Sequence, residues 1–135
     1  LALADIVTPN ETELRILLGL APDDPSDSLD LCRRLLDAGV RTVVLTRGAR
    51  GALVVEAGGV AEVPAFPVPV VDTTGAGDAF SATLAVSLAE GRPLVEAVRR
   101  AAAAGALACT ALGVIPALPR QEAVDTLLGR GQGVD

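Results

Sequence analysis

Strand-like apolar runs early in the chain, followed by three helix-patterned stretches, predict an α/β layer structure. Two further observations support this class. Half of the 135 residues are apolar, enough for a substantial core. Glycine and proline punctuate the joins between the runs.

The elements follow in order. Residues 4–7 read as a short strand closed by Thr8-Pro9-Asn10. Residues 11–18 carry Leu14, Ile16, Leu17 and Leu18 on a helix stopped by Gly19. Residues 21–27 hold two prolines and three aspartates and form a surface loop. Residues 28–38 place Leu29, Leu31, Leu35 and Leu36 at helical spacing, and Gly39 is the residue just past the end. Residues 42–46, Thr-Val-Val-Leu-Thr, are a buried strand. Residues 52–56 and 60–63 read as an antiparallel pair joined across Gly58-Gly59. Pro64, Pro67 and Pro69 make 65–71 an extended or edge segment. Residues 76–89, 94–112 and 121–128 are helices, separated by Gly91-Arg92-Pro93 and by 113–119. The domain reading is one unit over 1–128 with a flexible tail, 129–135, that has three glycines in seven residues.

Composition excludes several chemistries. The formal net charge is -6, which argues against a nucleic-acid or anionic-membrane surface. There is no histidine, so His-based triads and His metal sites are absent. All eleven basic residues are arginine, which removes the P-loop lysine, the protein-kinase lysine and Schiff-base chemistry. Phe66 and Phe80 are the only aromatics, too few for a base-stacking platform. Cys32 and Cys109 fit no metal spacing and read as small apolar residues of a reducing, cytoplasmic setting. The uncharged stretch 101–112 is too short to span a bilayer and reads as small-residue core packing. The start lacks the basic segment of a signal peptide and begins inside a strand, so the expectation is that an upstream part is missing.

Seven residues carry most of the functional content: Asp72-Thr73-Thr74-Gly75-Ala76-Gly77-Asp78. They follow the apolar run of Val68, Val70 and Val71 and open the helix at 76–89. A strand, a tight glycine turn and a helix start make a place for an anion. Small residues let a ligand approach the backbone, and the first helical turn offers free N–H groups at the positive end of the macrodipole. Asp78 puts a carboxylate into that same turn and would repel the anion unless it has a separate task. The natural task is to take a proton from a hydroxyl that attacks a phosphoryl group.

These motifs together resemble the C-terminal half of the ribokinase-like family of sugar and nucleoside kinases. The similarity runs from Val7-Thr8-Pro9-Asn10-Glu11-Thr12-Glu13, through the strand and turn at 41–51, to Pro116-Ala117-Leu118-Pro119. Its most specific part is the Asp-Thr-x-Gly-Ala-Gly-Asp core. The resemblance implies a three-layer αβα sandwich whose strand lid and sugar site lie largely in an N-terminal half that this chain lacks. It implies transfer of the ATP γ-phosphate to a primary hydroxyl of ribose, giving ribose 5-phosphate. Fructose, 2-keto-3-deoxygluconate or a nucleoside such as adenosine are alternative acceptors. A reading of another class also stands, that of a non-catalytic nucleotide-binding fragment needing a partner half.

Residue by residue, the resemblance makes Asp78 the catalytic base and a sugar contact, with Gly75, Ala76 and Gly77 as the anion hole. Thr46-Arg47-Gly48-Ala49-Arg50-Gly51 resembles the nucleotide turn, although a hairpin turn would look the same. Gly77, Asp78 and Asn10 complete the implied ATP contacts. Asn10 and Glu13 resemble the motif that organises Mg²⁺ through water, and they equally resemble a helix capping box. Asp72 and Thr74, with backbone oxygens near Ala108, Ala111, Gly113 and Ala117, match the family's site for a monovalent cation, K⁺. The other reading of that last loop is a helix end capped by Gly113. The implied cofactors are thus ATP, Mg²⁺ and K⁺, and the implied partner of the complete protein is a second copy, through the lid.

Three features depart from the family pattern. Thr83 stands where glycine or alanine is usual and crowds close helix packing. Ala101 and Ala102 stand where a polar residue near the adenine is common, which puts nucleotide preference in question. The largest departure is the missing N-terminal half. Apart from the family pattern, Arg99 and Arg100, with Glu96, read as a solvated face.

Overall fold

The computed structural model describes residues 5–68 and 75–110, together with Val124, Asp125, Leu127 and Leu128. It divides into two compact units, Leu1–Val63 and Pro64–Asp135. The first unit contains β1 (Ile6–Val7), α1 (Glu11–Leu17), α2 (Ser28–Asp37), β2 (Thr42–Thr46), β3 (Ala52–Glu56) and β4 (Gly59–Val63). The second contains α3 (Ala76–Ala89) and α4 (Leu94–Ala108).

The four strands form one sheet in the order β1-β2-β3-β4. β1 runs parallel to β2, a pairing that needs a crossover, and α1 and α2 supply it. β2, β3 and β4 are antiparallel, with Val43 opposite Val55 and Val54 opposite Ala61. Glu56 pairs with Gly59, so the hairpin turn is Ala57-Gly58 rather than Gly58-Gly59. Gly59, at φ 155, takes an extended strand place that favours glycine, which moves the turn one residue back.

Alternation along β2 and β3 sorts the core. Val43, Leu45 and Val55 face Leu14 of α1 and Leu31, Cys32 and Leu35 of α2. Val44 and Val54, on the opposite sheet face, are also buried.

Each helix of this unit has its own start and stop. Asn10 is extended at φ -84 and ψ 178, and its side chain accepts the Glu13 N–H at 2.7 Å. Glu13 Oε1 in turn accepts the Asn10 N–H at 2.9 Å. This complete capping box is worth about 1 kcal/mol. Asp27 caps α2 through the Asp30 N–H. Gly19 and Gly39 follow the helix ends at φ 75 and 110.

Arg15 has a role that the apolar pattern did not reveal. It is 9% exposed, and its guanidinium donates to the carbonyls of Asp24 at 2.7 Å, Ser26 at 2.7 Å and Glu11 at 2.8 Å. Ser28 Oγ, itself 2.9 Å from Glu11 Oε2, lies against the same fork. The proline- and aspartate-rich loop is therefore held to α1 by one planar cation with donors on several sides.

In the second unit, α3 has the predicted bounds and packs against α4. The predicted helix 94–112 ends at Ala108. The Thr110 N–H and hydroxyl both turn back to the Leu107 carbonyl, at 3.0 and 2.7 Å, and this tight bonding closes the last turn. The region of the third predicted helix is helical at Val124, Asp125, Leu127 and Leu128, and Val124 and Leu127 pack on Ala103 and Ala104. Arg99 and Arg100 are not a solvated face. Arg100 is 5% exposed and lies 2.8 Å from Asp125 Oδ1, while Arg99 stacks over the Phe66 ring at 5.4 Å. Glu96 pairs with Arg92 instead. The tail 129–135 lies outside the described residues.

Two predictions follow from the first unit. Arg15→Met removes three charge-assisted hydrogen bonds and should cost roughly 2–3 kcal/mol in urea unfolding, with Arg15→Lys recovering only part of it because an ammonium lacks the fork. The second concerns Cys32, where burial first, and then the charges of Asp27 and Glu11, push the thiol up to about 11. The native state keeps that proton after the unfolded chain has released it, so stability is full below the unfolded value and falls as pH rises from about 9 to about 11. Unfolding measured across that window should lose up to about 1.4 kcal/mol per pH unit from this group, a slope absent in Cys32→Ala.

Candidate active site

The turn into α3 is built from backbone. Gly75 is the residue before the helix, at φ 84 and ψ -5, a left-handed conformation that disfavours any side chain. It makes no side-chain cap. The first intrahelical bond is from the Ala79 N–H to the Gly75 carbonyl at 2.9 Å. The N–H groups of Ala76, Gly77 and Asp78 precede it and have no intrahelical acceptor. They stand at the positive end of a 14-residue helix.

The two glycines of this turn have different causes. Gly75 is required by its backbone angle. Gly77 is helical, and a β-carbon added there would meet nothing within 4 Å. The described fold gives no reason for glycine at 77, although glycine in a helix costs up to about 1 kcal/mol relative to alanine.

Asp78, also in the first turn, is exposed and forms no ion pair among the described residues. α4 backs this turn. A β-carbon at Gly105 would stand 3.3 Å from the Ala76 carbonyl oxygen and 3.7 Å from Phe80 Cβ. The sequence carried a signal for this contact, a glycine inside an alanine run, that the reading of 101–112 as bulk core passed over.

The first unit gathers Asn10, Glu13 and the turn at 46–51 at the end of its parallel strands. Asn10 bridges to Thr46, and the Thr46 N–H donates to the Pro9 carbonyl at 3.0 Å. Beyond Thr46 the chain makes a 3₁₀ turn, Gly48–Arg50, between Gly48 at φ 56 and Gly51 at φ 81. Ala49 is exposed on this turn. Arg50 Nη1 lies 3.8 Å from Glu11 Oε1, which links the turn to the start of α1.

Arg47 points its chemistry inward. Its N–H donates to the Gly51 carbonyl at 2.8 Å, and its Nη2 donates to the Arg50 carbonyl at 2.9 Å. The same nitrogen is 3.7 Å from Glu62 of β4, and the side chain is 8% exposed. Its Nε is buried without a partner. Arg47 therefore shapes the turn, leaving Gly48, Ala49 and Arg50 as its outward part.

The capping box takes one oxygen of Glu13 and the oxygen of Asn10, so Glu13 Oε2 remains for an outer ligand. That fits a hydrated Mg²⁺ better than direct coordination by several carboxylates. Among the described residues no cluster of three or more His, Cys, Asp or Glu could hold a metal. Ala108 is the last residue of α4 and is fully buried. Asp72, Thr74, Ala111, Gly113 and Ala117 lie outside the described residues. Ala101 is in the core, and Ala102 is half-buried, so of the two only Ala102 has surface to offer a ligand.

Residues 1–121 match the model of the pfkB family carbohydrate kinases. The chain is 38% identical over 128 residues to the ribokinase of Haemophilus influenzae, covering 94% of this chain and 42% of that protein. Among solved structures, Arabidopsis thaliana ribokinase complexed with ribose and ATP superposes with a TM-score of 0.83 at 36% identity, over 92% of this chain and 40% of that one. An Escherichia coli structure assigned as a ribokinase II, with ATP and Mg²⁺, gives 0.84 at 32% identity, over 96% and 40%. Escherichia coli phosphofructokinase-2 with potassium gives 0.81 at 29% identity, over 93% and 40%. The chain belongs to the pfkB family of carbohydrate kinases, with a ribokinase-like α/β fold. It spans about two fifths of the length of these relatives. Among the described residues no helix is long and apolar enough to cross a membrane.

The two glycines can be told apart by stability alone. Gly75→Ala should destabilise by about 1–2 kcal/mol through its left-handed backbone, whereas Gly77→Ala should be neutral or stabilise by up to about 1 kcal/mol. Denaturant unfolding of both variants checks the contrast.

Proposed function

We propose that this chain is the nucleotide-binding, base-supplying part of an ATP-dependent sugar kinase acting on ribose. One observation carries the reading: the first turn of α3 combines three N–H groups without intrahelical acceptors, a glycine that the described fold does not require, and an exposed carboxylate. Asp78 takes the proton of the primary sugar hydroxyl as that oxygen forms its bond to the γ-phosphorus. The bond from that phosphorus to the bridging oxygen breaks, and ADP leaves with the electron pair. The products are ribose 5-phosphate and ADP. The amides of Gly75, Ala76 and Gly77 stabilise the charge gathered on the transferred group, and helix geometry holds them in place before reaction begins.

Thr46 and the turn Gly48 to Gly51 approach the nucleotide through backbone, with Arg47 bracing them from behind. Mg²⁺, when bound, neutralises phosphate charge, and Asn10 and Glu13 orient its water shell. Asp72 and Thr74, with carbonyls near Ala108, Ala111, Gly113 and Ala117, would hold a monovalent cation that tunes the anion hole. Support comes from family membership and from the ATP, Mg²⁺ and potassium bound by the solved relatives. The same reading places the complete enzyme in the cytoplasm, as a homodimer formed through its lid. Residues that choose between ribose and fructose, 2-keto-3-deoxygluconate or adenosine belong to the part of the enzyme that this chain does not span.

In a chain completed to the length of its relatives, Asp78→Asn should lower turnover by about 10²–10⁴-fold and leave ATP binding intact. Near-normal turnover in that variant would overturn the base assignment. Gly77→Ala should weaken phosphate approach in the same assay without loss of stability. The span of two fifths of a ribokinase favours a second reading for the isolated chain, a nucleotide-binding fragment that is silent without its other part. Sugar-dependent ADP release by the isolated chain would rule that out.

A further inference from the structure

Gly105 lies buried inside α4, in a run otherwise made of alanine and leucine. Glycine is a poor helix former, and the alanines on either side of it follow helix propensity. The exception falls where α4 meets the first turn of α3. Ala76 packs there against Ala79 and Ala108. At Gly77 an added β-carbon would meet nothing within 4 Å, but at Gly105 it would stand 3.3 Å from the Ala76 carbonyl oxygen.

That oxygen is tied to the anion turn. A peptide group is planar, so the Ala76 carbonyl and the Gly77 N–H belong to one rigid unit. The Gly77 N–H is one of the first-turn donors without an intrahelical acceptor. Any displacement of the Ala76 oxygen therefore turns this donor.

We infer that Gly105 is a positioning residue for the anion turn: the bare backbone of α4 at this point lets α3 seat with the Gly77 N–H in its working direction. A β-carbon at 3.3 Å obliges a neighbour to yield by a few tenths of an ångström, and the packing decides which neighbour yields. α4 is held elsewhere along its length. Val124 and Leu127 pack on Ala103 and Ala104, and Arg100 Nη2 lies 2.8 Å from Asp125 Oδ1. The start of α3 has no side-chain cap to hold it. The α3 turn is the less restrained partner, so the displacement reaches the donor.

The inference rests on the kinase reading of this turn, and its test separates the two. In a chain completed to the length of its relatives, Gly105→Ala should lower kcat by about 3–10-fold, because catalytic geometry is sensitive to displacements well below 1 Å. ATP affinity should stay within about twofold of the parent, and the melting temperature should hold or rise because alanine favours a helix. The Gly77 amide resonance should shift, while those of Val54 and Val55 should not. In a parent that transfers phosphate, an unchanged kcat would overturn the inference. A fall in ATP affinity in place of kcat would do the same. Stability lost in step with kcat, failure to fold included, would make Gly105 an ordinary packing residue and also overturn it. A completed parent without phosphoryl transfer would instead sink the kinase reading. The Gly77 resonance then tests the coupling alone: a shift upholds the link from α4 to the turn, and no shift removes it.

Discussion

An α-helix cannot satisfy the N–H groups of its own first turn, and the chemistry assigned to this chain depends on that deficit. At α3 the usual remedy, a side-chain cap, is absent, because the capping position is a glycine in the left-handed region. Among the described residues no side chain caps the first-turn N–H groups, and in the proposed function they receive an outside anion. An N-terminal serine or aspartate would have stabilised the helix and filled the site with its own oxygen. The same chain caps α1 and α2 in that conventional way, through Asn10 and Asp27. The contrast shows that the open start of α3 is a local choice rather than a general feature of the sequence.

The first unit meets a different constraint. A parallel β1–β2 pair brings Asn10 beside Thr46 across 36 positions of sequence, because their strands share a register. The capping box then has two consequences. It starts α1, and it fixes which oxygen of Glu13 is free to face outward. The structural and the metal-organising readings of Asn10 and Glu13 are thus compatible at the level of single atoms. The turn after Thr46 is ordered in the same economical manner, with Arg47 holding the Arg50 carbonyl and lying beside Glu62.

Much of this architecture was legible in the sequence. The bounds of α3, β2 and β3 emerged as predicted, because glycine, proline and alternating apolar residues mark them on both sides. The glycine that opens α3 was legible because a strand-like run, a glycine turn and a helical run adjoin there, and Gly75 takes the left-handed turn before the helix. The buried arginines were not. Arg15, Arg47 and Arg100 look like surface residues to any pattern of hydrophobicity, and only the folded chain shows the carbonyls and carboxylates that receive them. Helix α4 was overrun for a related reason: the alanine-rich run continues past Ala108, and the Thr110 hydroxyl that closes the helix onto the Leu107 carbonyl leaves no mark in apolar periodicity. The turn between β3 and β4 slipped by one residue because two adjacent glycines offer equal conformational freedom, and strand register decides between them.

A chain without lysine or histidine must obtain both its internal bracing and its anion chemistry from a narrow set of groups. Arginine serves the first purpose here. Its planar fork reaches several carbonyls at once and keeps its charge when buried, so Arg15 can hold a loop and Arg47 a turn from inside the fold. That use turns cationic side chains toward structure. The anion site proposed at α3 uses uncharged donors, the backbone N–H groups of a helix start. Neutral donors have an advantage in this setting. A lysine or arginine in the same turn would pair with Asp78, whereas amides can hold a phosphate and leave the carboxylate free to accept a proton. In the proposed function, this division of labour between inward arginines and outward amides leaves Asp78, exposed and without an ion pair among the described residues, to accept the proton.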